Sequence, residues 1–124
     1  MSPFSETSIV WKNGRLIPWK DATIHLASHV VHYGSSIFEG LRAYDTPKGT
    51  AIFRLQDHTR RLYNSCKIYR MEIPFSQDQL NQGVLDCVRA NKLKACYVRP
   101  VVYRGYGTLG VNPLSNPVDC AVLV

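Results

Sequence analysis

What this 124-residue sequence has little of narrows its class first. Charged residues make up only 19%, too few for a chain kept disordered by its own charge. No apolar run approaches the roughly 20 residues that a membrane-spanning helix needs, so no membrane partner is expected. Met1 to Glu6 holds neither a basic nor an apolar segment, so no signal peptide is expected. The four cysteines (Cys66, Cys87, Cys96, Cys120) form no C-x-x-C pair, which argues against a zinc site and against a thioredoxin-like motif. Without secretion a disulfide framework is not expected either. The reading is of reduced, mostly buried thiols in a cytoplasmic protein. Internal repeats and low-complexity tracts are absent. Acid is scarce too: 9 Asp and Glu against 15 Lys and Arg give a formal charge of +6. That excess calls for an anionic partner, either small (phosphate, carboxylate) or large.

One stretch stands out from this background: Ser28-His29-Val30-Val31-His32-Tyr33-Gly34-Ser35-Ser36-Ile37-Phe38-Glu39-Gly40-Leu41-Arg42. Its glycines, aromatics, histidines and arginine make poor core material. Gly34 and Gly40 let the backbone bend sharply or approach a ligand. Tyr33 and Phe38 offer flat apolar faces, and Arg42 offers a fork for an anion. That is the composition of a pocket wall.

The rest of the chain punctuates clearly. Residues 1–7 read as a loose lead-in. Ile9 to Lys12 and Arg15 to Trp19 are strands joined by Asn13-Gly14, a strong two-residue hairpin signal, with Pro18 at an edge or a strand end. Residues 25–37 hold one or two helical turns interrupted at Gly34. Phe38 to Tyr44 reads as a strand with Phe38, Leu41 and Ala43 as its alternating partners. It turns at Thr46-Pro47-Lys48-Gly49 and returns over Thr50 to Arg54. Asp57 is the expected N-cap of a helix to about Tyr69, with the stripe Leu62, Cys66, Tyr69. Ser76 and Gln79 form a capping box for a second helix with Leu80, Val84, Cys87, Val88 and Asn91 on its inner face. Ala95 to Tyr103 is β-rich, residues 104–117 read as a mobile glycine-rich loop, and 118–124 as a last strand. Hairpins followed by helices and more strands predict an α+β domain, an antiparallel sheet of hairpins with two packed helices. The chain stops inside an apolar strand, so an isolated domain with a missing partner is expected.

Several constellations carry two readings each. Arg60 and Arg61 point about 100° apart on a helix, so one can be solvated while the other holds a phosphate. Alternation puts Tyr97 and Arg99 on one face of their strand and Val98 on the other, either a solvated face or a pocket lining. His25, His29 and His32 lack a nearby carboxylate or cysteine, which favours structural hydrogen bonds over a metal site. Gly105-Tyr106-Gly107 precedes no helix signal and is rejected as a nucleotide fingerprint. A basic nucleic-acid-binding or scaffold module is an alternative, but no recognition helix or RNA-binding strand motif appears.

Four motifs in register then carry a family resemblance. They are His32 to Arg42, Phe53-Arg54-Leu55 through His58-x-x-Arg61-Leu62, Tyr97-Val98-Arg99-Pro100, and Gly110-Val111-Asn112-Pro113. The chain from Ile9 onward resembles the branched-chain amino acid aminotransferases, pyridoxal 5'-phosphate enzymes of fold type IV. D-amino acid transaminases and aminodeoxychorismate lyases are the alternatives within the class.

The resemblance implies that Arg61 binds the cofactor phosphate and that Tyr33 and Phe38 line the substrate side-chain pocket. It implies that Tyr97 and Arg99 bind substrate, with the arginine receiving the distal carboxylate of glutamate. Arg42 supports the pocket, and Leu109, Gly110 and Val111 form a loop reaching a neighbouring subunit's site. The implied partners are amino acid and 2-oxo acid substrates and a second copy in a homodimer or higher homo-oligomer, with no nucleic acid, no membrane and no metal. The family's Schiff-base lysine matches none of Lys12, Lys20, Lys48, Lys67, Lys92 and Lys94. The chain is therefore expected to be the smaller N-terminal domain, single over residues 1–124, lacking the C-terminal catalytic-lysine domain and inactive alone.

Overall fold

A computed structural model describes residues 8–124; the expected lead-in over residues 1–7 lies outside them. The architecture is α+β, with a seven-stranded, wholly antiparallel sheet. Strands β1 (Ile9–Lys12) and β2 (Arg15–Pro18) form the expected hairpin. Its corner residues take left-handed dihedrals, φ 49° at Asn13 and 90° at Gly14. Pro18 ends β2 at the sheet's outer edge, where its missing N–H costs no ladder bond. The five-residue helix α1 (His29–Tyr33) ends at Gly34, whose φ of 65° supplies the bend expected there. Strands β3 (Ser36–Phe38), β4 (Leu41–Thr46) and β5 (Gly49–Ile52) follow. Helices α2 (Leu55–Ile68) and α3 (Gln77–Ala90) precede the long strand β6 (Cys96–Arg104) and the last strand β7 (Val118–Leu123). The sheet order is β2-β1-β7-β6-β4-β5, with β3 also paired to β6.

The strand expected over Phe38 to Tyr44 is broken at Glu39 and Gly40, and the cause is Pro100. The register runs straight through, with Phe38 opposite Val101 and Leu41 opposite Val98. Glu39 therefore meets Pro100. The Glu39 N–H donates to the Pro100 carbonyl at 3.1 Å, and proline has no N–H to give back. The face assignment also needs correcting. Side chains alternate, so Ile37, Glu39, Leu41 and Ala43 point to the helix-covered face. Phe38 lies on the opposite, open face, 56% exposed, and not with Leu41 and Ala43 as expected.

On the covered face Leu62 and Cys66 of α2, and Leu80, Val84, Cys87 and Val88 of α3, pack on Trp11, Leu41, Ala43, Val98, Val102, Cys120 and Val122. Cys66, Cys87 and Cys120 are buried free thiols, as expected. Burial pushes the first two up to about 11 and the third to about 12. The Ser76–Gln79 capping box is complete, and Asn91 ties α3 to β1 through the Ile9 carbonyl at 2.9 Å.

Two helix expectations fail. Asp57 is not the N-cap of α2; Arg54 is, at φ 56°, and Asp57 sits in the first turn, where it accepts from Arg54 and Arg60. A first-turn carboxylate meets the helix dipole there as well. Tyr69 is exposed, because the chain leaves the helix at that residue before its side chain reaches the core.

Candidate active site

The residues expected to form a site fall into three groups. The first lies on the open face where β4 crosses β6. Arg42 is paired in register with Tyr97, so both point the same way. Arg99 lays its guanidinium 4.0 Å from the centre of the Phe38 ring and 5.2 Å from that of Tyr97. Its Nη2 donates to Tyr97 Oη at 2.8 Å. Val98, between them in sequence, is fully buried on the other face, so the alternation expected for this strand holds. Gly40 is not a bend, as its φ is not positive. It is a gap: a Cβ there would collide with Tyr97 Oη, so glycine lets the phenol lie across the strand. Among the described residues neither Arg42 nor Arg99 forms an ion pair. The group is a cationic patch with aromatic walls and no resident anion, suited to an apolar side chain or a carboxylate.

The second group lies on the helix side. Arg61 Nε and Nη2 both donate at 2.7 Å, to Oε2 and Oε1 of Glu39. His58 Nδ1 meets Glu39 Oε1 at 2.8 Å. Glu39 is 6% exposed while the Arg61 side chain is 68% exposed. Hydrogen bonds from Arg61, then from His58, hold the Glu39 carboxyl below its ordinary value against the opposing effect of burial. A cleft of about 270 Å³ opens beside this group, lined by Arg54, Asp57, His58, Arg60 and Arg61. The adjacent arginines separate as helical geometry requires: Arg60 pairs with Asp57 and Arg61 with Glu39. Three arginines in the lining, one of them backed by Glu39, outnumber the single lining carboxylate Asp57, and the balance fits a phosphate group.

The third group joins α1 to the loop over 105–117. Tyr33 Oη donates to the Leu109 carbonyl at 2.7 Å. His29 is buried, with Nδ1 2.7 Å from Ser35 Oγ and Nε2 3.2 Å from the Val111 carbonyl. Tyr33 stacks on His29 with ring centres 4.4 Å apart. Leu109, Gly110 and Val111 are exposed at the loop tip. The loop base is tied down: buried Asn116 donates to the Gly105 and Thr108 carbonyls, and buried Arg104 donates to those of Asn116 and Arg70. Tyr33 thus meets Leu109 and His29, whereas Phe38 meets Arg99. His25 and His32 make backbone hydrogen bonds, to the Ala27 N–H and the Leu26 carbonyl. Among the described residues no cluster is placed to hold a metal, and no helix is long and apolar enough to cross a membrane.

Sequence reasoning missed Glu39 and His58. A signal was there for Glu39: it occupies a core-facing position in the alternation Ile37, Glu39, Leu41, Ala43, and a buried carboxylate needs cationic partners.

The family model "Amino-transferase class IV" matches residues 36–123. The chain belongs to the class IV aminotransferases. It is 48% identical over 124 residues to a branched-chain-amino-acid aminotransferase of Pseudomonas aeruginosa, and 44% identical over 104 residues to one of Escherichia coli. The first alignment takes in all of this chain and 40% of the relative. The second takes in 84% of this chain and 34% of the relative. The chain thus spans well under half the length of the relatives it matches. The crystal structure of a branched-chain amino acid aminotransferase from T.th., complexed with N-(5'-phosphopyridoxyl)-L-glutamate, superposes with a TM-score of 0.92 at 46% identity, over 95% of this chain and 40% of that one. The same enzyme has been solved with 4-methylvaleric acid, at the same TM-score and identity. This class IV aminotransferase chain thus shares its fold with an enzyme that has been solved with a glutamate adduct and with a branched apolar acid.

Proposed function

We propose that this chain is the smaller, N-terminal domain of a branched-chain amino acid aminotransferase that moves an amino group between leucine, isoleucine or valine and 2-oxoglutarate. The observation that carries the reading is Arg99, stacked on Phe38 and hydrogen-bonded to Tyr97, with no carboxylate partner among the described residues. Such a group accepts two kinds of substrate. A branched side chain packs on the Phe38 and Tyr97 rings. The distal carboxylate of glutamate binds the guanidinium. Arg42, in register with Tyr97, adds positive charge at the same wall. Arg61 takes the phosphate of pyridoxal 5'-phosphate, and that cofactor, when bound, supplies the electron sink for the reaction.

No lysine here matches the family's attacking lysine, so a C-terminal domain supplies it and this chain alone does not transaminate. Tyr33 is tied to the loop of Leu109, Gly110 and Val111 through the Leu109 carbonyl. Their place is at the active site of a second subunit in a homodimer or higher homo-oligomer, in the cytoplasm.

The test uses the two-domain enzyme. Arg99→Ala raises KM for glutamate and 2-oxoglutarate by roughly 10-fold or more, the worth of a charge-assisted hydrogen bond, and changes KM for leucine far less. Equal changes for both substrates overturn the role of Arg99. Leucine-dependent glutamate formation by residues 1–124 alone overturns the domain assignment.

A further inference from the structure

The Arg61 side chain rises from α2 into solvent, yet one edge of it is locked. Both of its bonds to Glu39 use the Nε–Nη2 edge of the guanidinium. Among the described residues Nη1 makes no bond, which leaves it to an anion in the cleft that Arg61 lines with Arg54, Asp57, His58 and Arg60. Glu39 itself is held from both sides. Its backbone is fixed against Pro100, with paired strand residues before and after it. Its carboxylate is buried, and both oxygens are used. Because a carboxylate only accepts, the bond from His58 puts that ring's proton on Nδ1 and leaves Nε2 without this partner.

We propose that Glu39 is a positioning residue, whose buried carboxylate presets the Arg61 guanidinium, and with it the His58 ring, for the phosphate of the cofactor. The inference rests on the reading of Arg61 given above and adds a residue to it.

Two effects of opposite sign act through Glu39. Its negative charge offsets part of the attraction between Arg61 and a phosphate. Its fork removes the rotamers that a free, exposed arginine would otherwise lose on binding. Arg61 is solvent-exposed, so water and salt screen the first effect. The second does not depend on screening, since it is conformational. Positioning therefore wins, and neutralising Glu39 weakens phosphate binding although it removes a nearby negative charge.

The experiment titrates apo two-domain enzyme with pyridoxal 5'-phosphate and, separately, with pyridoxal, which lacks the phosphate, following the visible absorbance. For Glu39→Gln the expected result is a Kd for pyridoxal 5'-phosphate raised about 10-fold or more, with the Kd for pyridoxal unchanged within about 2-fold. Equal weakening of both ligands means a general structural role and overturns the proposal. An unchanged or tighter Kd for pyridoxal 5'-phosphate overturns it as well. If Glu39→Gln does not fold, Glu39→Asp keeps the charge but retracts it by one methylene. The same selective loss is expected from it, and its absence counts against positioning. Arg61→Ala separates the two levels of the argument. If it leaves cofactor affinity unchanged, the phosphate reading itself fails. If it weakens pyridoxal 5'-phosphate selectively while both Glu39 variants do not, only the role of Glu39 fails.

Discussion

The two faces of the sheet are built from the same strands and differ in what they leave unfinished. On the covered face Leu41, Ala43, Val98, Val102 and Val122 meet the helices and are almost fully buried. The buried carboxylate there, Glu39, is matched by Arg61 and His58. On the open face the alternate residues of the same strands include Phe38, Arg42, Tyr97 and Arg99, with an aromatic 56% exposed and two arginines that form no ion pair among the described residues. Beyond them Val10, Lys12, Ile24, Val30, Val101, Tyr103 and Leu123 line an apolar groove. One face stabilises the domain and carries, at Arg61 and Glu39, the group proposed for the cofactor phosphate. The other presents chemistry that the domain does not itself consume.

That contrast breaks first, and hardest, on the covered face. Leu62→Ala removes a side chain with no exposed area from the centre of the core and is expected to cost about 2–5 kcal/mol in urea unfolding of this chain. A loss comparable to that of an open-face substitution would erase the distinction. Gly83→Ala is a sharper case, because helix propensity alone favours alanine by roughly 0.5–1 kcal/mol. Here a Cβ would press into the Trp11 indole, 2.6 Å from Cε2 and 2.7 Å from Nε1. Overpacking of that kind costs about 1–3 kcal/mol, so the variant is expected to lose stability. A gain would mean that Trp11 moves freely.

The Glu39 ion pair gives a pH-dependent version of the same comparison. Arg61 and His58 lower the Glu39 carboxyl below its ordinary value of 4.5 in the folded chain. A depressed carboxylate contributes stability above its unfolded pKa and loses it as pH falls through the folded one. The stability difference between the parent chain and Glu39→Gln is therefore expected at neutral pH and shrinks as the pH drops below 4.5. Urea unfolding across that range checks it. A difference that grows toward acid would reverse the assigned sign.

How much of this is legible in the sequence divides along the range of the interactions. The capping box at Ser76 and Gln79 and the hairpin at Asn13-Gly14 depend on residues within a few positions, and both are readable. The shared face of Tyr97 and Arg99 follows from strand alternation alone. The start of α2 at Arg54 is not readable, because a left-handed arginine held by Asp57 imitates no standard cap signal. The partnership of Glu39 with Arg61 spans 22 positions, and only the packing of α2 on the broken β3–β4 edge creates it. Closeness in sequence suggests Tyr33 beside Phe38. The turn at Gly34 sends Tyr33 instead toward Leu109.

The smallest expected effect is the most informative about the open face. Arg99→Ala forfeits a cation–π contact with Phe38 worth roughly 0.5–1 kcal/mol at an exposed site, and a hydrogen bond to a phenol that water can replace. Against this, the unfolded chain no longer has to surrender the rotamers of a long side chain when it folds. The two nearly cancel, so urea unfolding should place the variant within about 0.5 kcal/mol of the parent, the range of ordinary surface substitutions. The same substitution is expected to raise KM for glutamate in the two-domain enzyme. A residue that is neutral to folding and selective in binding is one held for a ligand. If Arg99→Ala instead destabilised the chain as much as Leu62→Ala, the Arg99–Phe38–Tyr97 cluster would be a second, exposed part of the core. The distinction between the core and the open-face ligand wall would then fail at its most exposed point.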